Sequence, residues 1–137
     1  MSNDSCIIPT TSEWTFLLAY QNWGDTPNEP VLALVDTGAT KCQIPREFND
    51  TDLGLPIGGR DSNVQTASGL QSYDYVTIPR VTLVKQEIVG NFLRIQDTDL
   101  QEPNVQAWLG ESFIVGMNLV TKFDITLRRD GRIIVER

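Results

Sequence analysis

Short apolar runs recur along the chain, each broken after a few residues by Gly, Pro, Asn or Asp, and no stretch sustains a helical period over several turns. The pattern predicts a mostly β protein. Trp14, Phe16, Leu18 and Tyr20 alternate with Thr15, Leu17, Ala19 and Gln21, which predicts a strand, and NWGDTPNEP at 22–30 returns the chain into a second strand over Val31 to Val35. After Ile44, the residues from Pro45 through Gly54, Pro56, Gly58 and Gly59 read as a long exposed loop. Asn63 to Thr66 and Leu70 to Ile78 flank the small residues Ala67-Ser68-Gly69, which predicts a hairpin with Tyr73 and Tyr75 on one face. Pro79 interrupts the pattern, Val81 to Val84 and Ile88 to Ile95 resume it, and DTDLQEPN at 97–104 reads as an acidic, turn-rich loop. The segment SFIVGMNLVTKFDITLRRDGRIIVE parses as a strand through Val115, a break at Gly116, a short helix capped near Asn118, and a hairpin turning at Asp130-Gly131.

With 137 residues the chain is sized for one core, so residues 1–137 are expected to form a single domain, with 1–11 as an N-terminal extension. The net charge of −7 disfavours nucleic acid and anionic membrane surfaces as partners, because either would bring like charges together. There is no apolar run long enough to span a bilayer, and MSNDSCIIPT lacks the basic start and apolar centre of a signal peptide, so a cytoplasmic setting is expected. Cys6 and Cys42 are only two, and nothing in their spacing suggests a disulfide framework or a metal site, so they are expected to be free thiols. The absence of histidine excludes Ser-His and Cys-His catalysis and removes the commonest zinc ligand. No metal and no cofactor are expected.

Against this background VLALVDTGATKCQIP at 31–45 stands out, because an apolar run ends abruptly in the carboxylate of Asp36. Asp, Thr and Gly each favour turns, so a capped turn is one explanation. A buried strand delivering an acid to a reaction site is the other. The small residues Ala39 and Thr40 after Asp36, and a second apolar strand ending in glycine, FIVG at 113–116, favour the second.

LVDTGA and IVGMN, in that order and spacing, resemble the retropepsin-like (retroviral-type) aspartic proteases, whose pattern is an apolar run into Asp-Thr/Ser-Gly-Ala/Ser, a flap hairpin, and a late apolar-apolar-Gly-x-Asn/Asp segment. The resemblance runs from Val31 to the C-terminus. It implies a closed acid-protease-type β-barrel with a flap hairpin and one short C-terminal helix, assembled as a two-fold homodimer. It makes Asp36 the catalytic acid, with Thr37, Gly38 and Ala39 supporting the active-site loop. Thr66, Ala67, Ser68 and Gly69 become the flap that closes over substrate, and Gly116 and Asn118 the structural loop behind the site. The substrate it implies is an extended polypeptide. Many viral members carry an acidic residue after Asp-Thr-Gly-Ala that pairs with an Arg following the late glycine; here those positions hold Thr40 and Met117.

Hydrolysis of a peptide without metal, nucleophilic side chain or histidine needs water held between two carboxylates, one ionised and one protonated. No other aspartate of this chain follows an apolar strand into Thr/Ser-Gly, so the second carboxylate is expected to be Asp36 of a second copy. The apolar strand RIIVE at 132–136 is equally suited to a dimer contact and to an internal hairpin, and residues 1–11 are long enough to cover its edge. The alternative function is a catalytically silent retropepsin-like module that binds peptides or proteins.

Overall fold

The computed structural model describes residues 5–9, 15–89, 92–96, 100–129 and 132–136, with backbone alone in 5–9, 85–89 and 92–96 and at 127 and 132. It is mostly β. In chain order the strands are β1 (Ser5–Pro9), β2 (Thr15–Gln21), β3 (Val31–Val35), β4 (Cys42–Pro45), β5 (Gly59–Thr66), β6 (Gly69–Leu83), β7 (Lys85–Val89), β8 (Phe92–Gln96), β9 (Gln101–Gly110), β10 (Ile114–Val115), β11 (Asp124–Leu127) and β12 (Arg132–Glu136). Two short helices, α1 (Arg46–Phe48) and α2 (Met117–Val120), complete the described elements, and α1 runs on as a π-helical turn over Asn49–Leu53. No helix among the described residues is long and apolar enough to cross a membrane.

A seven-stranded sheet in the order β2-β3-β10-β4-β9-β6-β5 carries the site. β2 and β3 form the expected hairpin, with Thr15 opposite Leu34 and Leu18 opposite Val31. β2 also pairs with the end of β6, Leu18 against Leu83 through Gln21 against Arg80. Both faces of β2 are nonetheless buried. Phe16, Leu18 and Tyr20 enter the main core, while Leu17 and Ala19 join Val84 in a smaller buried cluster on the other face.

The short β10 sits between β3, which it parallels, and β4, which it opposes. This insertion brings FIVG beside VLALV although some eighty residues of chain separate them. Val115, Ala33, Cys42 and Ile44 of these strands are all buried in the main core, with Leu119 of α2 beneath them. Tyr20, Phe48 and Phe113 form an aromatic group at its side, with ring centroids 5.0–5.8 Å apart.

Several sequence expectations are corrected. The connection after Ile44 is not simply an exposed loop: Leu53 and Leu55 are buried, and Asn49 pins the turn by donating to Leu55 O and accepting from Leu55 N–H. The hairpin strand expected from Asn63 begins at Gly59. β6 continues through Pro79, because the ladder passes from Ile78–Val105 to Arg80–Pro103 and makes no pair at the proline. Opposite it, Asn104 takes φ 53°. The acidic segment 97–104 is strand from Gln101 onward; its residues 97–99 lie outside the described residues. Ile88 to Ile95 is not one strand but parts of β7 and β8, paired from Lys85–Gln96 to Val89–Phe92. The turn expected at Asp130-Gly131 lies outside the described residues, as do Trp14 and the N-terminal residues around β1, but β11 and β12 pair antiparallel on either side of it.

β12 settles between β1 and β11 in a three-stranded sheet, with Ser5 opposite Glu136 and Pro9 opposite Arg132. Both edges of RIIVE are therefore filled within the chain, and Ile133 and Val135 point into the main core. Of the two uses weighed for this strand, the internal one is adopted, with residues 5–9 as its cover.

Candidate active site

Asp36 stands where β3 ends. Its backbone N–H donates to Val115 O at 3.0 Å, continuing the β3–β10 ladder by one bond, and its carbonyl accepts from Ala39 N–H at 3.1 Å. The carboxylate Oδ1 accepts from Gly38 N–H at 2.9 Å. A Cβ at position 38 would stand 3.2 Å from that same oxygen, so glycine permits the backbone to approach the carboxylate. Thr37 and Gly38 are exposed and Ala39 half-buried.

The expectation of a buried acid is corrected by the geometry of β3. Leu32, Leu34 and Asp36 fall on one side of the strand and are exposed, the leucines by 62% and 43%, while Ala33 points into the core. The apolar run predicts a buried strand, whereas in the single chain one face of β3 is open.

Behind the loop, a Cβ on Gly116 would collide with the carbonyl group of Lys41 and lie 2.8 Å from Cys42 N. Backbone meets backbone there, so only glycine lets β10 cross against the start of β4. Gly116, rather than Asn118, occupies the N-cap position of α2, and no side chain caps that helix. Asn118 does different work: its Oδ1 accepts from Cys42 N–H at 2.9 Å and its Nδ2 donates to Gln106 O at 2.8 Å. At Thr40 and Met117, where many viral relatives pair an acid with an arginine, backbone takes over, with Met117 N–H donating to Ala39 O at 2.8 Å and Asn118 N–H to Thr40 O at 3.2 Å. The Cys42 thiol lies buried below, accepting from Gly116 N–H at 3.5 Å. Burial pushes its pKa up to about 11, which makes it inert at neutral pH.

Opposite this loop the β5–β6 hairpin turns at Ala67-Ser68, with Gly69 at φ 100°. Thr66 ties the tip by donating its hydroxyl to Gly69 O at 2.8 Å and accepting from Ser68 N–H at 3.2 Å. Between hairpin and loop lies a cleft of about 570 Å³ whose lining includes Asp36, Gly38, Ala39, Ile114, Thr66 and Ala67. A neighbouring cleft of about 690 Å³ shares Gln43, Thr66 and Tyr73 with it and adds Ser68, Arg46 and Glu111. Thus the structure places Asp36, Gly38, Ala39, Thr66 and Ala67 around one cavity and Ser68 around the next, while Gly116 and Asn118 stand behind.

The same cleft holds a polar cluster that sequence reasoning missed. Lys41 Nζ lies 2.6 Å from Asp61 Oδ2 and 4.2 Å from the centroid of the Tyr75 ring. Trp108 Nε1 donates to the same Asp61 oxygen at 2.8 Å, and the Trp108 ring stacks on Tyr73 at 5.5 Å. The hydrogen bonds from Lys41 and then Trp108 hold the Asp61 carboxyl below the usual carboxylate range. The one sequence signal was Tyr73 and Tyr75 sharing a hairpin face, which said nothing of their partners. Among the described residues no group of three or more His, Cys, Asp or Glu is placed to hold a metal ion.

Comparison with known proteins bears on the family and the fold. No curated protein matches the sequence with significance. Among solved structures, a retropepsin-like aspartic protease from Rickettsia conorii is similar with a TM-score of 0.60 at 15% identity, over 96% of this chain and 89% of that one. Residues 24–118, a span from the β2–β3 turn through Asp36 and the hairpin to Asn118, match the sequence profile of an aspartyl protease family. With more than half its length matched, and a fold like that of a retropepsin-like enzyme, the chain belongs to the aspartyl proteases.

Proposed function

We infer that the protein is an aspartic endopeptidase that hydrolyses peptide bonds in extended polypeptides as a symmetric homodimer, each protomer contributing one Asp36. The observation that carries this reading is the carboxylate inventory of the cleft. Among the described residues, its lining holds Asp36 and Asp61 as the only carboxylates. Asp61 is bound to Lys41 and Trp108, and both bonds favour its ionised form. It is therefore unsuited to carry the shared proton, and the partner acid must come from outside the chain. The exposed side of β3 offers a route: Leu32 and Leu34 lead along one face to Asp36, so a second copy approaching by that face meets apolar surface and carboxylate together.

In such a pair a water molecule lies between the two Asp36 carboxyl groups. Two carboxylates a few Å apart do not both ionise, so one proton serves both. The ionised member takes a proton from water as the oxygen attacks the scissile carbonyl. The protonated member hydrogen-bonds the developing oxyanion and, as the pair exchanges its proton, the departing amine is protonated. Gly38 N–H on Oδ1 fixes the orientation of the acid before substrate arrives. Residues 66–69 act as the flap, offering hairpin backbone to an extended peptide and excluding water. The pairing of β2, at one end of the seven-stranded order, with β6, next to the other end, closes β2 through β6 on themselves and supports the closed-barrel form.

The test is cleavage of a diverse peptide library between about pH 4 and 7 by wild type and Asp36→Asn, purified side by side. The reading requires cleavage by wild type that disappears in the variant while the fold is kept. No cleavage by either protein, at concentrations where sedimentation shows a dimer, would instead favour the peptide-binding module.

A further inference from the structure

Lys41 and Asp61 are more than a strut between the hairpin and the body of the protein. Both side chains line the cleft that holds Asp36, and they remain 23% and 31% exposed although they pair with each other. An ammonium group has three N–H donors, and Asp61 uses one of them. The Asp61 carboxylate receives both Lys41 and Trp108 on Oδ2, which leaves Oδ1 without a partner among the described residues. A spare donor and a spare acceptor thus stand side by side, on groups whose positions are set by neighbours. The Trp108–Tyr73 stack backs the carboxylate, the Tyr75 ring backs the ammonium, and Asp61 is paired with Tyr73 in the β5–β6 ladder.

We propose that the Lys41–Asp61 pair is a specificity-determining subsite that selects a primary amide side chain, Gln or Asn, at one position of the bound polypeptide. The inference rests on reading this cleft as a peptide groove. A primary amide carries a carbonyl acceptor and an NH2 donor in one plane, so its oxygen takes the Lys41 donor while its nitrogen donates to Asp61 Oδ1. A Glu side chain satisfies Lys41 and repels Asp61; a Lys or Arg side chain does the reverse. An apolar side chain of the same length strips water from both and returns no hydrogen bond, which is the condition under which polar sites discriminate most strongly.

The experiment measures binding of peptide sets, each scanning one position through Gln, Asn, Met, Glu and Lys, to protein carrying Asp36→Asn, and in parallel their cleavage by wild type. At one position Gln or Asn should bind about tenfold or more tightly than Met, and more tightly than Glu or Lys. In the same background Lys41→Met should turn that position toward Lys, and Asp61→Asn should turn it toward Glu. A pair that only braces the hairpin would weaken all peptides alike and would not reverse charge preference in opposite senses. Apolar preference at every position, or an unchanged preference in both variants, overturns the proposal. Peptides cut by wild type without amide selection would leave the protease reading standing and remove this one. Amide-selective binding with no cleavage would do the opposite, and neither binding nor cleavage would end both.

Discussion

Asn118 is a sharp test of how the site loop is held, because one side chain satisfies two backbone groups from different strands. Its Oδ1 caps the N–H of Cys42, a buried residue at the start of β4, and its Nδ2 caps the carbonyl of Gln106 in β9. Asn118→Ala would remove both partners at once and leave a donor and an acceptor unmatched in a part-buried place. Each such orphan costs about 1–3 kcal/mol, so the loss should be about 2–6 kcal/mol, the lower end applying if water enters the space left. Urea unfolding followed by fluorescence gives the number directly, with an unchanged slope showing that the native state keeps its compactness.

Asn118→Asp sharpens the same argument through pH. At neutral pH the introduced carboxylate still accepts from Cys42 N–H but turns a second oxygen on the Gln106 carbonyl. Once protonated it regains a donor and restores the original pattern. The folded protein thus prefers the protonated form, raising that group's pKa above its unfolded value. The recovered stability is full below the unfolded pKa and is lost as pH rises through the folded one. Relative to wild type at each pH, Asn118→Asp should therefore be closer to wild type at pH 4 than at pH 7, whereas the Asn118→Ala deficit stays level. A loss below about 1 kcal/mol for the alanine variant, or parallel pH profiles for the two, would refute the view that these bonds hold the loop.

Other consequences are simpler to state. Tyr20 has its hydroxyl buried with no partner among the described residues, so Tyr20→Phe should keep the packing on Phe48 and Phe113 and leave stability unchanged or raise it by about 1 kcal/mol, read by thermal unfolding. The buried Cys42 thiol, with its pKa raised to about 11, should resist iodoacetamide at pH 8 in native Cys6→Ser protein and react on unfolding, as mass spectrometry would show. Because Asp61 has a lowered folded pKa, its contribution to stability is present above the ordinary carboxylate range and lost as pH falls through the folded value; Asp61→Asn should flatten the acid limb of the stability profile while leaving the slope between pH 5 and 7 unaltered. Two copies of a chain carrying −7 repel each other at neutral pH, so sedimentation should show tighter association at pH 5, or at raised salt, than at pH 7 and low salt.

What the sequence revealed was local or carried by a motif. Asp36-Thr37-Gly38 is a turn whose chemistry lies within a few residues, and Gly116 is demanded by a single backbone crossing, so both were legible as residues of special type in a special place. The Ala67-Ser68-Gly69 tip was legible for the same reason. The Lys41–Asp61–Trp108 cluster was not, because its members are 20 and 47 residues apart and each alone is an ordinary surface or core residue. Periodicity also misjudged burial: β2 is buried on both faces, while β3 looked equally apolar yet leaves Leu32 and Leu34 open. In the same way Pro79 and Pro103 marked breaks to a local rule, but the β6–β9 ladder carries both in one unbroken register, skipping only the pair at Pro79.

The absence of an acid at position 40 and an arginine at position 117 has a structural counterpart that bears on assembly. In place of a charged contact, Met117 and Asn118 donate backbone N–H groups to Ala39 and Thr40, and Asn118 holds Cys42, all within one protomer. These bonds need no second copy and no particular ionic strength, so the loop bearing Asp36 is set before two chains meet. Association of two copies, if it occurs as proposed, would then have little loop ordering to offset, which lowers its entropic cost. It also has no buried ion pair at these positions to desolvate, so the electrostatic part of dimerisation reduces to repulsion between two acidic chains. If the protein works as the homodimer proposed above, each protomer brings to it a loop already set, an exposed acid and an apolar approach along β3, and what it lacks is a second carboxylate rather than a fold.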